Sequence, residues 1–191
     1  MFMRWLVLVM VMLLGAGLAA APGIALAQEP DAGRWNAQLS MGGGFGWEQE
    51  ESLLSTSVGV GYYFMDDMSV NVNMLGYRIW QHERYGGAEN AYGLGAELIG
   101  RWEFYETEYA SLFMEGGAGL FQGSERVPGR GTQFNVILTG GVGILVPITD
   151  SMSLETGIRH IHLSNASMEG TDDNPGAELF NTYMGVRVSL W

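Results

Sequence analysis

The sequence predicts an all-β protein: a single eight-stranded antiparallel transmembrane β-barrel of the outer-membrane type. Three observations carry that expectation. The chain opens with an export signal. The remainder of the chain alternates apolar and polar residues in eight runs, each longer than the ~9–11 residues that cross a bilayer when tilted. The connections between runs alternate short and long, as in barrels whose turns face one side of the membrane and whose loops face the other.

Met1–Arg4 gives a short basic start and Trp5–Ala21 an apolar run. Ala25-Leu26-Ala27 then supplies the small-x-small pattern of a signal-peptidase site. The alternative, a retained anchor, is weakened by Gly15, Gly17, Pro22 and Gly23, which interrupt the run. Residues 1–27 are therefore expected to be a removed signal peptide and 28–191 one barrel domain. No later segment reaches the ~18 consecutive apolar residues of a spanning helix.

The strands are expected at 34–46, 53–64, 68–80, 91–106, 109–123, 132–147, 152–164 and 178–190. The first carries Gly42-Gly43-Gly44, suited to a tightly curved strand in a small barrel. The second and third meet at the tight turn Met65-Asp66-Asp67, the fourth and fifth at Thr107-Glu108, and the sixth and seventh at Thr149-Asp150. Trp47–Ser52, Gln81–Asn90, Ser124–Gly131 and Ala166–Ala177 are the long connections. The fourth strand carries Glu97, Arg101 and Glu103 and the fifth Glu115, which fit a polar barrel interior. In the seventh, Met152, Leu154, Thr156 and Ile158 share the lipid side, while Ser153, Glu155, Gly157 and Arg159 point inward. In the eighth, Phe180, Thr182, Met184, Val186, Val188 and Leu190 face lipid, opposite Asn181, Tyr183, Gly185, Arg187 and Ser189. An eight-stranded barrel is too narrow for an aqueous channel, so the inward charges should pair as a filled core. Trp191 ends the last strand with an aromatic, common in outer-membrane barrels.

Composition excludes several functions. Nine basic residues, all Arg, stand against 21 acidic ones, a net charge of −12. Nucleic-acid binding needs the opposite balance. With no Cys there is no disulfide framework, thiolate metal site or Cys nucleophile. The G-x-G patterns precede no helix and are not phosphate loops. No metal site or cofactor is expected: His82 is isolated, and His160 with His162 lacks a third ligand. Glu48, Glu50 and Glu51 read as a solvated acidic loop.

Chemistry concentrates at the junction of the last two strands. Residues two apart in a strand point the same way, so His162 and Ser164 are neighbours. Parity with Leu154 and Ile158 puts both on the lipid side, and Glu178 shares that side with Phe180 and Val186. Polar residues are costly there and call for a reason. A His can deprotonate a Ser, a carboxylate can orient the His, and the Asn165 amide could donate to an oxyanion. The bland alternative is a set of interfacial polar residues at strand ends.

The stretch His162-Leu163-Ser164-Asn165-Ala166, followed by Asn174-Pro175-Gly176-Ala177-Glu178, resembles the C-terminal signature of the outer-membrane lipid A 3-O-deacylases (PagL). That family has a His-aromatic-Ser-Asn-Ala-Gly run and then an Asn-x-Gly-x-Glu segment. The resemblance implies an eight-stranded barrel that removes the 3-position acyl chain of lipid A with a lipid-facing Ser-His-Glu triad. Ser164 is then the nucleophile, His162 the base, Glu178 the orienting acid and Asn165 an oxyanion contributor. Leu163 replaces the usual aromatic, Ser167 stands where Gly is typical, and the connecting loop is longer. Glu169, Asp172 and Asp173 are alternative carboxylates, and His160 a second candidate base. The implied partners are lipopolysaccharide in the outer leaflet and the bacterial outer membrane, with a homodimer left open. Arg84, Arg126 and Arg130, in expected external loops, suit lipid A phosphates or simple loop solubility. The competing functions are a non-enzymatic structural or adhesion barrel, a phospholipase or acyltransferase, and an exported soluble barrel.

Overall fold

A computed structural model describes residues 32–47, 51–82, 88–168 and 175–190. The expected signal peptide, Trp191, Glu48, Glu50, Arg84 and the loop carboxylates Glu169, Asp172 and Asp173 lie outside them.

Eight strands form: β1 (Trp35–Gly46), β2 (Ser52–Met65), β3 (Met68–Trp80), β4 (Asn90–Glu106), β5 (Ser111–Val127), β6 (Thr132–Thr149), β7 (Met152–Ser164) and β8 (Ala177–Ser189). Each pairs antiparallel with its neighbour, and β1 closes on β8 through a register from Asn36↔Ser189 to Gly46↔Leu179. Closure satisfies every strand edge, the condition for a sheet to sit in hydrocarbon. No helix among the described residues could cross a membrane.

Two connections differ from expectation. The first half of the segment 124–131 is strand: β5 runs on to Val127, and after a register shift Val127 pairs with Thr132, leaving a turn at 128–131 closed by Gly131 N–H to Pro128 O at 2.7 Å. Polar residues there mark a hairpin that continues its ladder past the membrane belt rather than a loop. Arg126 is thus an exposed strand residue. The turn before β5 is also longer. Thr107 holds it, its hydroxyl donating to Ala110 O and accepting the Ala110 amide, so β5 begins at Ser111.

The alternation resolves as expected. Outward residues include Leu39, Met41, Val58, Val60, Val72, Met74, Leu98, Leu120, Leu138, Val142 and Ile158, all at least half exposed. Such a continuous apolar band is stable only against lipid. Below it, toward the short turns, Trp35 packs on Tyr62 with the rings tilted and Trp102 meets Phe104 edge-on, an aromatic girdle. Inside, Arg101 donates to Glu155 at 2.6 Å and Glu115 at 2.8 Å, Arg159 to Glu115 at 2.5 Å, and Arg187 to Glu155 at 3.2 Å. Glu97 accepts from Asn73 and Thr139, and Glu103 from Tyr63. Ser189 is the exception to inward parity: at the barrel rim it is exposed.

Toward the long-loop end the interior changes character. Leu53, Leu75, Ile79, Phe121, Ile137, Ile161, Leu163 and Leu179 pack there as a dry apolar plug. Leu163, Ala177 and Leu179 are at most 2 % exposed, so the inner face of the β7–β8 hairpin rests on close-packed side chains. That backing fixes the outer face. Glu51 joins the barrel too: it is 3 % exposed, buried rather than solvated, with its carboxylate against Gly46.

Candidate active site

β7 and β8 pair so that His162 stands directly opposite Glu178. Ser164 follows His162 by one pleat on the same outer face, at the last residue of β7. The structure brings all three together. His162 Nδ1 lies 2.6 Å from Glu178 Oε1, and His162 Nε2 lies 3.0 Å from Ser164 Oγ. With the proton on Nδ1, His162 donates to the carboxylate and its free Nε2 lone pair accepts the Ser164 hydroxyl. Both side chains of the His–Glu pair are about one-third exposed, 30 % and 34 %, so the group is reachable from lipid yet partly desolvated.

His160, the second candidate base, lies on the same outer face as His162. Its Nε2 is 2.8 Å from Glu178 Oε2, off the axis of a good hydrogen bond, and its ring packs on Phe180 at 5.2 Å. It flanks the carboxylate and sits one pleat farther from Ser164 than His162.

Asn165 leaves the strand and turns inward, 1 % exposed. Its side-chain oxygen accepts the Ser167 amide at 2.7 Å and its backbone oxygen the Met168 amide at 3.0 Å. The turn bends through left-handed backbone at Ala166 (φ 51) and Ser167 (φ 62). An L side chain is strained in that region, which is why Gly is the easier occupant of position 167. The Asn165 side-chain oxygen is thereby engaged by the turn.

Sequence reasoning missed two supports. Gly176 adopts φ 67, and a Cβ there would come 3.2 Å from His162 Cε1, so the absent side chain leaves room for the imidazole. A Gly two residues before the acid was the available signal. Trp47, ending the β1 side of the seam, donates its amide to Glu178 O at 3.0 Å and meets Phe180 edge-on at 6.1 Å. No spacing rule joins residue 47 to residue 178; only closure of β1 on β8 does. Among the described residues no cluster of His, Asp and Glu could hold a metal ion.

Comparison with known proteins gives a consistent result. A family model described as lipid A 3-O-deacylase (PagL) matches residues 35–187. Among solved structures, the outer membrane enzyme PagL superposes with a TM-score of 0.58 at 16 % identity, covering 78 % of this chain and 97 % of that one. Neisserial surface protein A gives 0.58 at 16 % identity, covering 82 % and 96 %. The N-terminal β-barrel domain of Pseudomonas aeruginosa OprF gives 0.55 at 11 %, covering 84 % and 100 %. These likenesses show the shared barrel. No curated protein matches the chain in sequence.

Proposed function

The chain belongs to the lipid A 3-O-deacylase (PagL) family, a bacterial outer-membrane barrel, and we propose that it hydrolyses the 3-O-linked acyl ester of lipid A by a Ser-His-Glu mechanism on its lipid-facing wall. The observation that supports this reading is the relay Ser164 Oγ–His162 Nε2–Glu178 Oε1, with steps of 3.0 and 2.6 Å, on an outward face where polar side chains otherwise have no use.

Ser164 Oγ attacks the ester carbonyl carbon while its proton passes to His162 Nε2. Glu178 holds the imidazole by Nδ1 and stabilises the imidazolium that forms. The family signature makes Asn165 the oxyanion contributor, although the turn directs its side chain inward here. Collapse breaks the bond to the sugar 3-oxygen, which leaves with the proton from His162. Water then attacks the acyl-Ser164 ester through the same base, releasing the fatty acid and restoring the hydroxyl. Because the group lies on the outside, an acyl ester reaches it without leaving the membrane. Export by cleavage of residues 1–27 would deliver the mature barrel.

The test is mass spectrometry of lipid A from cells with and without the protein, and of lipid A treated with refolded barrel in detergent. Loss of one 3-hydroxyacyl unit is expected. Ser164→Ala should fold and lose about a thousandfold or more in rate, and Glu178→Gln somewhat less, since Ser and His can act as a weaker dyad. Unchanged lipid A would favour a structural barrel, and added palmitate an acyltransferase. Full activity in folded Ser164→Ala would exclude this nucleophile.

A further inference from the structure

Arg78 faces outward near the end of a membrane-spanning strand, on the wall formed by β2 to β5. In the closed order β3 and β4 lie across the barrel from β7 and β8, so this wall is remote from Ser164. Arg78 stands two residues from the long-loop end of β3, in one cross-strand row with Leu54 and Tyr92. The next row toward mid-membrane is Thr56, Gly76, Leu94 and Gln122. Gly76 has no side chain, the Thr56 hydroxyl leans toward its carbonyl, and an open, mainly apolar hollow of about 690 Å³ lies beneath the guanidinium.

The guanidinium itself is held by aromatic rings rather than by a carboxylate among the described residues. Its Cζ lies 4.5 Å from the Trp80 ring and 5.1 Å from the Tyr92 ring, a double cation–π contact that fixes its plane. Among the described residues its one hydrogen bond is long, Nη2 to Asn90 Oδ1 at 3.5 Å, and Nε is buried without a partner. Among the described residues no carboxylate pairs with it, whereas Arg101, Arg159 and Arg187 all pair with interior Glu. A half-buried guanidinium whose buried Nε has no partner among the described residues calls for an anion, and its fork suits phosphate. An apolar hollow directly below, at the membrane boundary, calls for a hydrocarbon chain.

We propose that this wall is a second, non-catalytic lipid site: Arg78 takes a phosphate of a lipid A molecule of the outer leaflet, and one of its acyl chains lies in the hollow over Gly76. The site does not rest on the proposed catalysis. It would keep a lipid A molecule attached to the far side of the barrel while another is presented to β7–β8. Gln122 and Ser124, exposed on the same face, border the hollow where headgroup polarity begins.

The test uses refolded mature barrel carrying Ser164→Ala, so that ligand is not consumed, with a photo-crosslinking residue at Thr56. The probes are bisphosphorylated lipid A, the same lipid A with its phosphates removed, and inorganic phosphate as competitor. Labelling at position 56 by bisphosphorylated lipid A is expected. Arg78→Gln should weaken it about ten- to a hundredfold, as for loss of a charge-assisted hydrogen-bonded pair, and Arg78→Lys less. Leu94→Trp, with Arg78 intact, should fill the hollow and weaken labelling as well. Equal labelling of Arg78→Gln and the parent, equal labelling by the dephosphorylated lipid, or no effect of Leu94→Trp overturns the proposal. Complete displacement by millimolar inorganic phosphate would also overturn it, because the site would then recognise a free anion. Heat-modifiable migration on gels verifies that each variant is folded.

Discussion

Each ring nitrogen of His162 has its own neighbour, and the neighbours lie on different elements: Ser164 within β7, Glu178 across the ladder on β8. The pairing was legible because side-chain direction in a strand has period two, so parity alone put the three on one face. The ring's freedom was not. It depends on Gly176, whose left-handed backbone admits Gly without strain and whose missing Cβ leaves the imidazole its space. Gly176→Ala should therefore cost about 1–2 kcal/mol in backbone strain and shift the ring. Displacement of a base by a fraction of an ångström to one ångström lowers turnover about ten- to a hundredfold. The expected result is a folded barrel with reduced kcat, measured by fatty-acid release from lipid A in detergent. Asn165 shows the limit of parity: it lies past the strand end, where a two-residue left-handed turn decides its direction.

Among the elements, the strands were legible to within a few residues, and the errors have physical causes. Segment 124–131 is polar, which suggests a loop, yet a hairpin beyond the membrane belt can keep its ladder with polar residues on its outer face. The same ladder explains why the glycines differ. At Gly44 a Cβ would stand 2.0 Å from Phe180 O across the β1–β8 seam; at Gly140 nothing lies within 4 Å. Gly44→Val should thus prevent β1 from closing on β8, and no heat-modifiable folded species should appear on a gel. Gly140→Val should fold, since its side chain projects into the lipid band. Equal folding of both would mean that the seam adapts.

Across the barrel as a whole, an apolar plug backs the outer face that carries the proposed triad, while a charged network fills the rest of the lumen. Arg101 bridges Glu115 and Glu155, all three nearly inaccessible. Such a network is poor evidence of net stabilisation, but removing one member leaves uncompensated charge in a dry interior. Arg101→Met should lower stability by about 3–5 kcal/mol, read from the urea midpoint of unfolding in lipid vesicles. Orientation is a second property of the entire barrel. The turn at 128–131 and the connection after Ser164 lie at one end, the turn at Asp66-Asp67 at the other. An epitope placed between Gly129 and Arg130 should be labelled on intact cells and one at Asp66-Asp67 should not. The reverse would invert the barrel and turn the proposed site away from outer-leaflet lipid A.

Strand number, the closed antiparallel class, the two faces and the grouping of Ser164, His162 and Glu178 were all legible in the chain alone. They depend on local periodicity and connection length, which need no knowledge of distant partners. Closure and register decided the rest. Glu51 turns from a loop charge into a buried one, Trp47 comes to rest against Glu178, and His160 flanks the carboxylate. Arg78, unremarkable in sequence, becomes the cation at the head of a lipid-facing hollow because Gly76 and Tyr92 are set beside it by the ladders on either side. Periodicity gives the direction of a side chain, but only the closed sheet fixes which side chains from other strands share its space.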